Sequence, residues 1–307
     1  MNSSISSFKT ELKVVAAVLA VLLCIEVVMR RVETRLSIDI AHIRSGEEIS
    51  QRVGASPRSL LLLGNSLTRD GIAAEPLASS AGEGLTVESY YPDGSSVNEW
   101  VFAYRRYFSE PGNQPDFLII GAGRSHLFDS QIPPDRFGAY FCSRGDIPRY
   151  FKHNVKNLDH AAGFFLARYS AAYTNRKRIQ PRIFTALIPH YQEVAAQLQT
   201  RGRTAGEKPE NELEHRNLAE LLKVAKAAGT HVAVVAIPMP KSYPLPQPTV
   251  QTIADGGAVL IDARNLPGID ASDFPDNYHL GSVGAKMLTE HVIKKLQPLW
   301  WPGSGGN

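Results

Sequence analysis

Ser59-Leu60-Leu61-Leu62-Leu63-Gly64-Asn65-Ser66-Leu67-Thr68-Arg69-Asp70-Gly71 is the stretch that decides how this chain is read. A short unbroken apolar run stopped by glycine is the pattern of a strand buried on both faces of a parallel sheet. Gly64 permits a tight turn, and the residues after it read as the start of a helix. A serine placed there lies at the carboxyl end of a strand and the amino end of a helix. Open α/β sheets gather their ligands at that edge. The helix end presents backbone N–H groups and a positive dipole end to a developing anion.

The same rhythm continues outward. Leu85 to Tyr91 alternates as a second strand and stops at Pro92-Asp93-Gly94. Val97 to Phe108 reads as a helix, and Asp116 to Gly121 as a third strand. Residues 130–180 are irregular and helical, and rich in aromatics such as Tyr140, Phe141, Phe164 and Tyr173. Their first use is packing; stacking on sugar rings is the alternative. Asn211 to Ala228 is a strongly amphipathic helix, Val232 to Ile237 a fourth strand, Val259 to Asp262 a short fifth, and Gly284 to Leu296 a closing helix. Strands alternating with helices predict a three-layer α/β domain around a parallel sheet. There is no internal repeat.

Val14 to Ile25 is a continuous apolar run, extended past Glu26 by Val27, Val28 and Met29. Lys13 and Arg30 can snorkel at its ends, which brings it to the roughly 20 residues a spanning helix needs. No small-x-small cleavage site follows, so a retained anchor fits better than a cleaved signal. The run has no polar stripe, which argues against a buried amphipathic helix. Arg30, Arg31 and Arg35 follow the run, and the positive-inside rule read literally leaves the domain in the cytoplasm. Residues 1–31 thus read as a membrane anchor and 32–57 as a helical stalk. Residues 58–300 read as the α/β domain and 301–307 as a flexible tail.

Composition excludes several classes. A net charge of +3 over 307 residues is not that of a nucleic-acid binder. The clusters Arg176-Lys177-Arg178 and Arg201-Gly202-Arg203 read as solvated faces. Two cysteines, one of them in the apolar run, make a disulfide improbable. Nine scattered histidines without spaced carboxylates give no metal site.

A serine hydroxyl needs a base in hydrogen-bond reach, and the base needs an orienting group. Asp273-Phe274-Pro275-Asp276-Asn277-Tyr278-His279-Leu280 precedes the closing helix. Asp276 and His279 stand three residues apart, so on a turn both face one side and Asp276 can orient His279. Asp273 is the fallback partner.

These blocks resemble the SGNH (GDSL-like) hydrolase superfamily. Gly64-Asn65-Ser66 matches its first block, Gly94 the second, Pro115 to Gly121 the third and Asp276-Asn277-Tyr278-His279-Leu280 the last. The resemblance implies a flavodoxin-like parallel sheet with Ser66, His279 and Asp276 as a catalytic triad, an acyl-enzyme intermediate and no cofactor. It implies an oxyanion hole from the Ser66 and Gly94 amides. The third block of the family ends Gly-x-Asn, and that Asn completes the hole; here the chain reads Gly121-Ala122-Gly123-Arg124-Ser125-His126. Three readings remain open: Arg124 or Ser125 substitutes, the backbone suffices, or the site has lost activity. Asn65 and His126 are candidates for binding substrate.

The anchor, the Gly64 to Ile72 stretch and the long insert after the third strand look like SGNH-like proteins that accompany bacterial exopolysaccharide export and add or remove O-acetyl groups. That likeness implies an extracytoplasmic domain on the bacterial inner membrane. It implies a carbohydrate or other acylated substrate and a membrane-bound acyltransferase as a partner. The competing reading is a non-catalytic scaffold or carbohydrate-binding component of an export complex.

Overall fold

In the computed structural model, which describes residues 2–82, 84–191 and 213–302, strands form where the apolar runs predict them. They are β1 (Ser59–Leu63), β2 (Thr86–Tyr90), β3 (Phe117–Ala122), β4 (His231–Ala236) and β5 (Val259–Asp262). The helices, in chain order, begin with α1 (Asn2–Leu36), α2 (Ile38–Arg44), α3 (Gly46–Ala55), α4 (Ser66–Gly71), α5 (Ala74–Ser80) and α6 (Val97–Tyr107). There follow α7 (Pro134–Arg136), α8 (Ile147–Asn154), α9 (Leu158–Tyr169), α10 (Ala171–Leu187), α11 (Arg216–Ala227), α12 (Gln247–Asp255) and α13 (Ser282–Trp300).

Contacts group these into two compact units. One holds Met1–Ile40, Pro133–Tyr140 and Val155–Gly206; the other holds Ala41–Ile132, Phe141–Asn154 and Glu207–Asn307. The second unit contains the sheet. All strand pairs are parallel, in the order β2-β1-β3-β4-β5. This is the α/β class and the flavodoxin-like order that the sequence predicts. The chain leaves β1 toward one edge and returns to its other side at β3, so the edge between β1 and β3 is the topological switch point.

Strand side chains alternate between faces. Leu60, Leu62, Ile119, Ala233, Val235 and Ile261 build one core with Leu288, Val292 and Leu296 of α13. Leu61, Leu63, Leu118, Ile120 and Val234 point the other way and are equally buried, on the side where α6 and α11 lie with Trp100, Phe102, Leu221 and Leu222 buried. Both faces are covered, which is why β1, β3 and β4 read as unbroken apolar runs.

In the first unit, α1 carries the 26-residue stretch Glu11–Leu36, long and apolar enough to cross a membrane. Its side chains from Leu12 to Val28 are largely exposed.

Within the span 32–57 that the sequence suggested as a stalk, residues 41–55 pack against the sheet. α3 buries Ile49 and Val53 and packs on β1 and β2; the Tyr90 hydroxyl donates to the Ile43 carbonyl at 3.0 Å. Ile49 and Val53 stand at helical spacing on the buried side of α3. The helix predicted over 211–228 is seen from Arg216; residues 211 and 212, the Arg201-Gly202-Arg203 cluster and the tail Gly303 to Asn307 lie outside the described residues.

Candidate active site

The site is assembled at the carboxyl edge of β1, β2 and β3. β1 ends at Gly64, where a side chain would overlap the Thr68 hydroxyl. That hydroxyl donates to the Gly121 carbonyl at 2.9 Å and so ties the first turn of α4 to the end of β3. Asn65 caps α4: its side-chain oxygen accepts from Leu67 N at 3.0 Å, while its amide nitrogen donates to the Ser95 carbonyl at 2.9 Å. The Asn65 amide thus caps α4 with its oxygen and ties the first block to the loop after β2 with its nitrogen. At 2% exposure Asn65 has no surface to offer a substrate, which corrects the binding role the sequence suggested. It is a brace.

Ser66 is the first residue of α4, where backbone N–H groups have no partner in the helix itself. Its Oγ lies 2.9 Å from His279 Nε2. His279 Nδ1 lies 2.6 Å from Asp276 Oδ2. The other Asp276 oxygen accepts from the backbone N–H groups of Tyr278 (2.9 Å) and His279 (2.7 Å). Asn277 makes this turn possible by adopting φ +60°, a left-handed conformation that Asn tolerates better than most residues. Burying Phe274 and Leu280 on either side anchors the turn to the core.

Electrostatics favour one protonation pattern. The His279 ring, reinforced by the two backbone N–H groups, pulls the Asp276 carboxyl down to about 2. Asp276 is therefore ionised at neutral pH and accepts from Nδ1–H. That leaves His279 Nε2 as the basic nitrogen facing Ser66. Asp273 does not contact the ring; it closes a capping box with Asp270.

The loop after β2 carries Gly94 at φ +61°, a conformation that favours glycine. Ser95 Oγ donates to the Pro92 carbonyl (2.5 Å) and accepts from the buried Trp100 indole (2.6 Å). Asp93 is clasped by Arg69 from α4 and by His42 Nδ1 at 2.8 Å from α2. Sequence reading missed this clasp, because its three members are separated by 24 and 51 residues.

At the end of β3, Gly123 occupies the place of the expected Asn. A Cβ there would sit 2.7 Å from Leu67 Cδ1 and 3.0 Å from Met239 Sδ. Arg124 and Ser125 are exposed beside it. His126 Nδ1 accepts from Gly123 N at 3.1 Å, so the proton of the neutral ring resides on Nε2. Burial pushes its pKa down to about 4 and keeps it neutral. His126 thus braces the 123–126 turn. Among the described residues no group of His, Cys, Asp and Glu could hold a metal ion.

No family model matches the sequence, and no curated protein does. Solved structures do resemble the chain. TesA shares 16% identity over 79% of this chain and 99% of its own, with a TM-score of 0.40. Axe2, an acetylxylan esterase from Geobacillus stearothermophilus, shares 12% over 78% of this chain and 94% of its own, also at 0.40.

Proposed function

We propose that this chain is a membrane-anchored serine esterase or O-acyltransferase. The observation that carries the reading is the unbroken relay Ser66 Oγ–His279 Nε2–His279 Nδ1–Asp276 Oδ2, at 2.9 and 2.6 Å. As Ser66 Oγ attacks an acyl carbonyl, His279 Nε2 takes its proton, and ionised Asp276 stabilises the resulting imidazolium. The carbonyl oxygen becomes an oxyanion, held by the Ser66 amide and the Gly94 loop with Arg124 alongside. Collapse of the intermediate expels the alcohol, which takes the proton from His279. The acyl group is left on Ser66. Water or a sugar hydroxyl then attacks the ester in the reverse sequence.

The substrate class is an acylated carbohydrate or exopolysaccharide, with acetyl as the group moved. It rests on the resemblance of the sequence blocks and on an active site open at the sheet edge. A membrane-bound acyltransferase is the partner this role calls for. α1 would hold the enzyme in the bacterial inner membrane, with the sheet unit on the extracytoplasmic side. Protease protection of that unit in intact spheroplasts would refute the sidedness.

Gly123 favours a second reading. Without the usual side-chain donor the oxyanion hole is poorer, by roughly 2.7–4 kcal/mol for one such contact, and a non-catalytic scaffold becomes the alternative. One assay separates them. The full chain in detergent should hydrolyse p-nitrophenyl acetate, and Ser66→Ala and His279→Ala should not. Equal rates for all three would overturn the enzyme reading.

A further inference from the structure

α9 is apolar on two opposite sides. Gly163, Phe164 and Ala167 are buried. On the far side Leu158, Ala162, Phe165, Leu166 and Tyr169 recur at the i, i+4, i+7, i+8 and i+11 spacing of one helical stripe. All five are exposed, Tyr169 at 69% and Leu158 at 82%. The helix thus packs one apolar side within its own unit and leaves the other exposed.

The stripe has a fixed place relative to α1. The turn Tyr169-Ser170-Ala171, which joins α9 to α10, is bonded to two residues of α1. The Glu26 carboxylate accepts from Ser170 Oγ (2.8 Å), Ala171 N (2.8 Å) and Ala172 N (3.1 Å). Arg30 pairs with Glu26 at 2.8 Å and donates to the Tyr169 carbonyl at 2.7 Å. The end of the stripe therefore sits at the level of Glu26 and Arg30, where the exposed apolar surface of α1 gives way to Arg30 and Arg31. Phe165 is four residues back from Tyr169, about 6 Å along the helix. Two exposed apolar surfaces thus meet at one level, next to exposed arginines and an aromatic hydroxyl. Tyrosine and arginine gather at that depth of a bilayer, at the boundary of headgroups and acyl chains.

We propose that α9 is an interfacial helix. Its outward stripe, led by Phe165, Leu166 and Tyr169, inserts into the headgroup–acyl boundary of the bilayer that α1 crosses. Arg30 and Arg31 face the lipid phosphates. The inference rests on the reading of α1 as a membrane anchor. It makes the insert after β3 a second membrane contact, which would fix the tilt of the helical unit against the lipid surface.

The test uses the full chain in liposomes of zwitterionic and anionic phospholipids. A polarity-sensitive fluorophore is attached to Leu166→Cys or Tyr169→Cys, each with Cys24→Ser and Cys142→Ser. A control carries it on native Cys24 in Cys142→Ser. Acyl-chain-brominated lipid should quench and blue-shift the label at 166 and 169 as well as at Cys24, and aqueous iodide should have little effect. Quenching at Cys24 with iodide-accessible labels at 166 and 169 would leave the anchor standing and overturn the interfacial helix. Labels at 166 and 169 shielded from both quenchers would mean a protein covers the stripe, and would also overturn it. Loss of lipid quenching at all three positions would overturn the anchor and the inference together.

Discussion

Asp276→Asn isolates the part of the relay that the geometry defines most sharply. Asp276 Oδ2 accepts from His279 Nδ1 at 2.6 Å, while Oδ1 accepts two backbone N–H groups. An asparagine can keep its oxygen on the two backbone donors only by presenting its NH2 to His279 Nδ1. Nδ1 must then accept, so the ring proton moves to Nε2. The nitrogen facing Ser66 becomes a donor and can no longer take the hydroxyl proton. Where the orienting Asp is buried, the corresponding change lowers kcat by about 10⁴. Here the Asp276 side chain is 54% exposed. Water screens the charge and solvates alternative ring states, so a loss of roughly 10²–10³ is expected.

The same exposure predicts an inversion. Asp276→Ala opens Nδ1 to water, which accepts from Nδ1–H and leaves Nε2 basic. The alanine variant should therefore be more active than the asparagine variant, although it removes more atoms. The assay is p-nitrophenyl acetate hydrolysis by the full chain in detergent at pH 7.5, with kcat and KM resolved and folding checked by circular dichroism. An Asp276→Asn enzyme within about threefold of wild type, a barrier change too small for tautomer reversal, would refute this reasoning. So would an alanine variant less active than the asparagine one.

Three further outcomes follow from the surrounding braces. Gly94→Ala forces an L-residue to φ +61° at about 1–2 kcal/mol; kcat should fall about tenfold with KM little changed if the loop relaxes away from the oxyanion. Ser95→Ala leaves the buried Trp100 indole without its acceptor and should lower unfolding stability by about 1–3 kcal/mol, read by urea titration. His126 is held neutral, with its pKa down from 6.5 to about 4. The unfolded chain therefore binds the extra proton in that window, and stability is full above about pH 6.5 and declines toward pH 4. Because the ring is partly exposed, the loss between pH 7 and pH 5 should be about 1–2 kcal/mol. His126→Asn, whose oxygen can replace Nδ1 as the acceptor for Gly123 N, should lack that decline.

The strands were legible because both sheet faces are covered, which makes β1, β3 and β4 apolar without interruption. Asp276 and His279 were legible because three-residue spacing on a turn is local. What the sequence hides is the bracing between blocks. Asn65 reads as part of a motif, and only the structure shows its amide divided between Leu67 N and the Ser95 carbonyl. The clasp of Asp93 by Arg69 and His42 joins three elements with no shared pattern. Residues 41–55 misled as part of a stalk because an amphipathic helix that follows an anchor looks the same whether it spans a gap or packs on a sheet. Ile49 and Val53 decide it by burial alone.

The missing third-block Asn suggests an obvious repair, Gly123→Asn, and the structure predicts that the repair fails. The space into which a side chain at 123 would grow is filled by Leu67 Cδ1 at 2.7 Å and Met239 Sδ at 3.0 Å, with His126 Nδ1 at 3.4 Å. Leu67 is itself buried, so its side-chain end must repack before residue 123 can carry a side chain. An added side chain in a packed site costs about 1–3 kcal/mol. The glycine is thus fitted to its neighbours, and on the proposed reading the oxyanion would be held by the loop around Gly94, the Ser66 amide and Arg124. Gly123→Asn should unfold at lower urea and lose esterase activity, whereas Arg124→Ala should stay folded and lower kcat alone. A Gly123→Asn enzyme that is as stable as wild type and faster would show that the packing around residue 123 does not constrain the site.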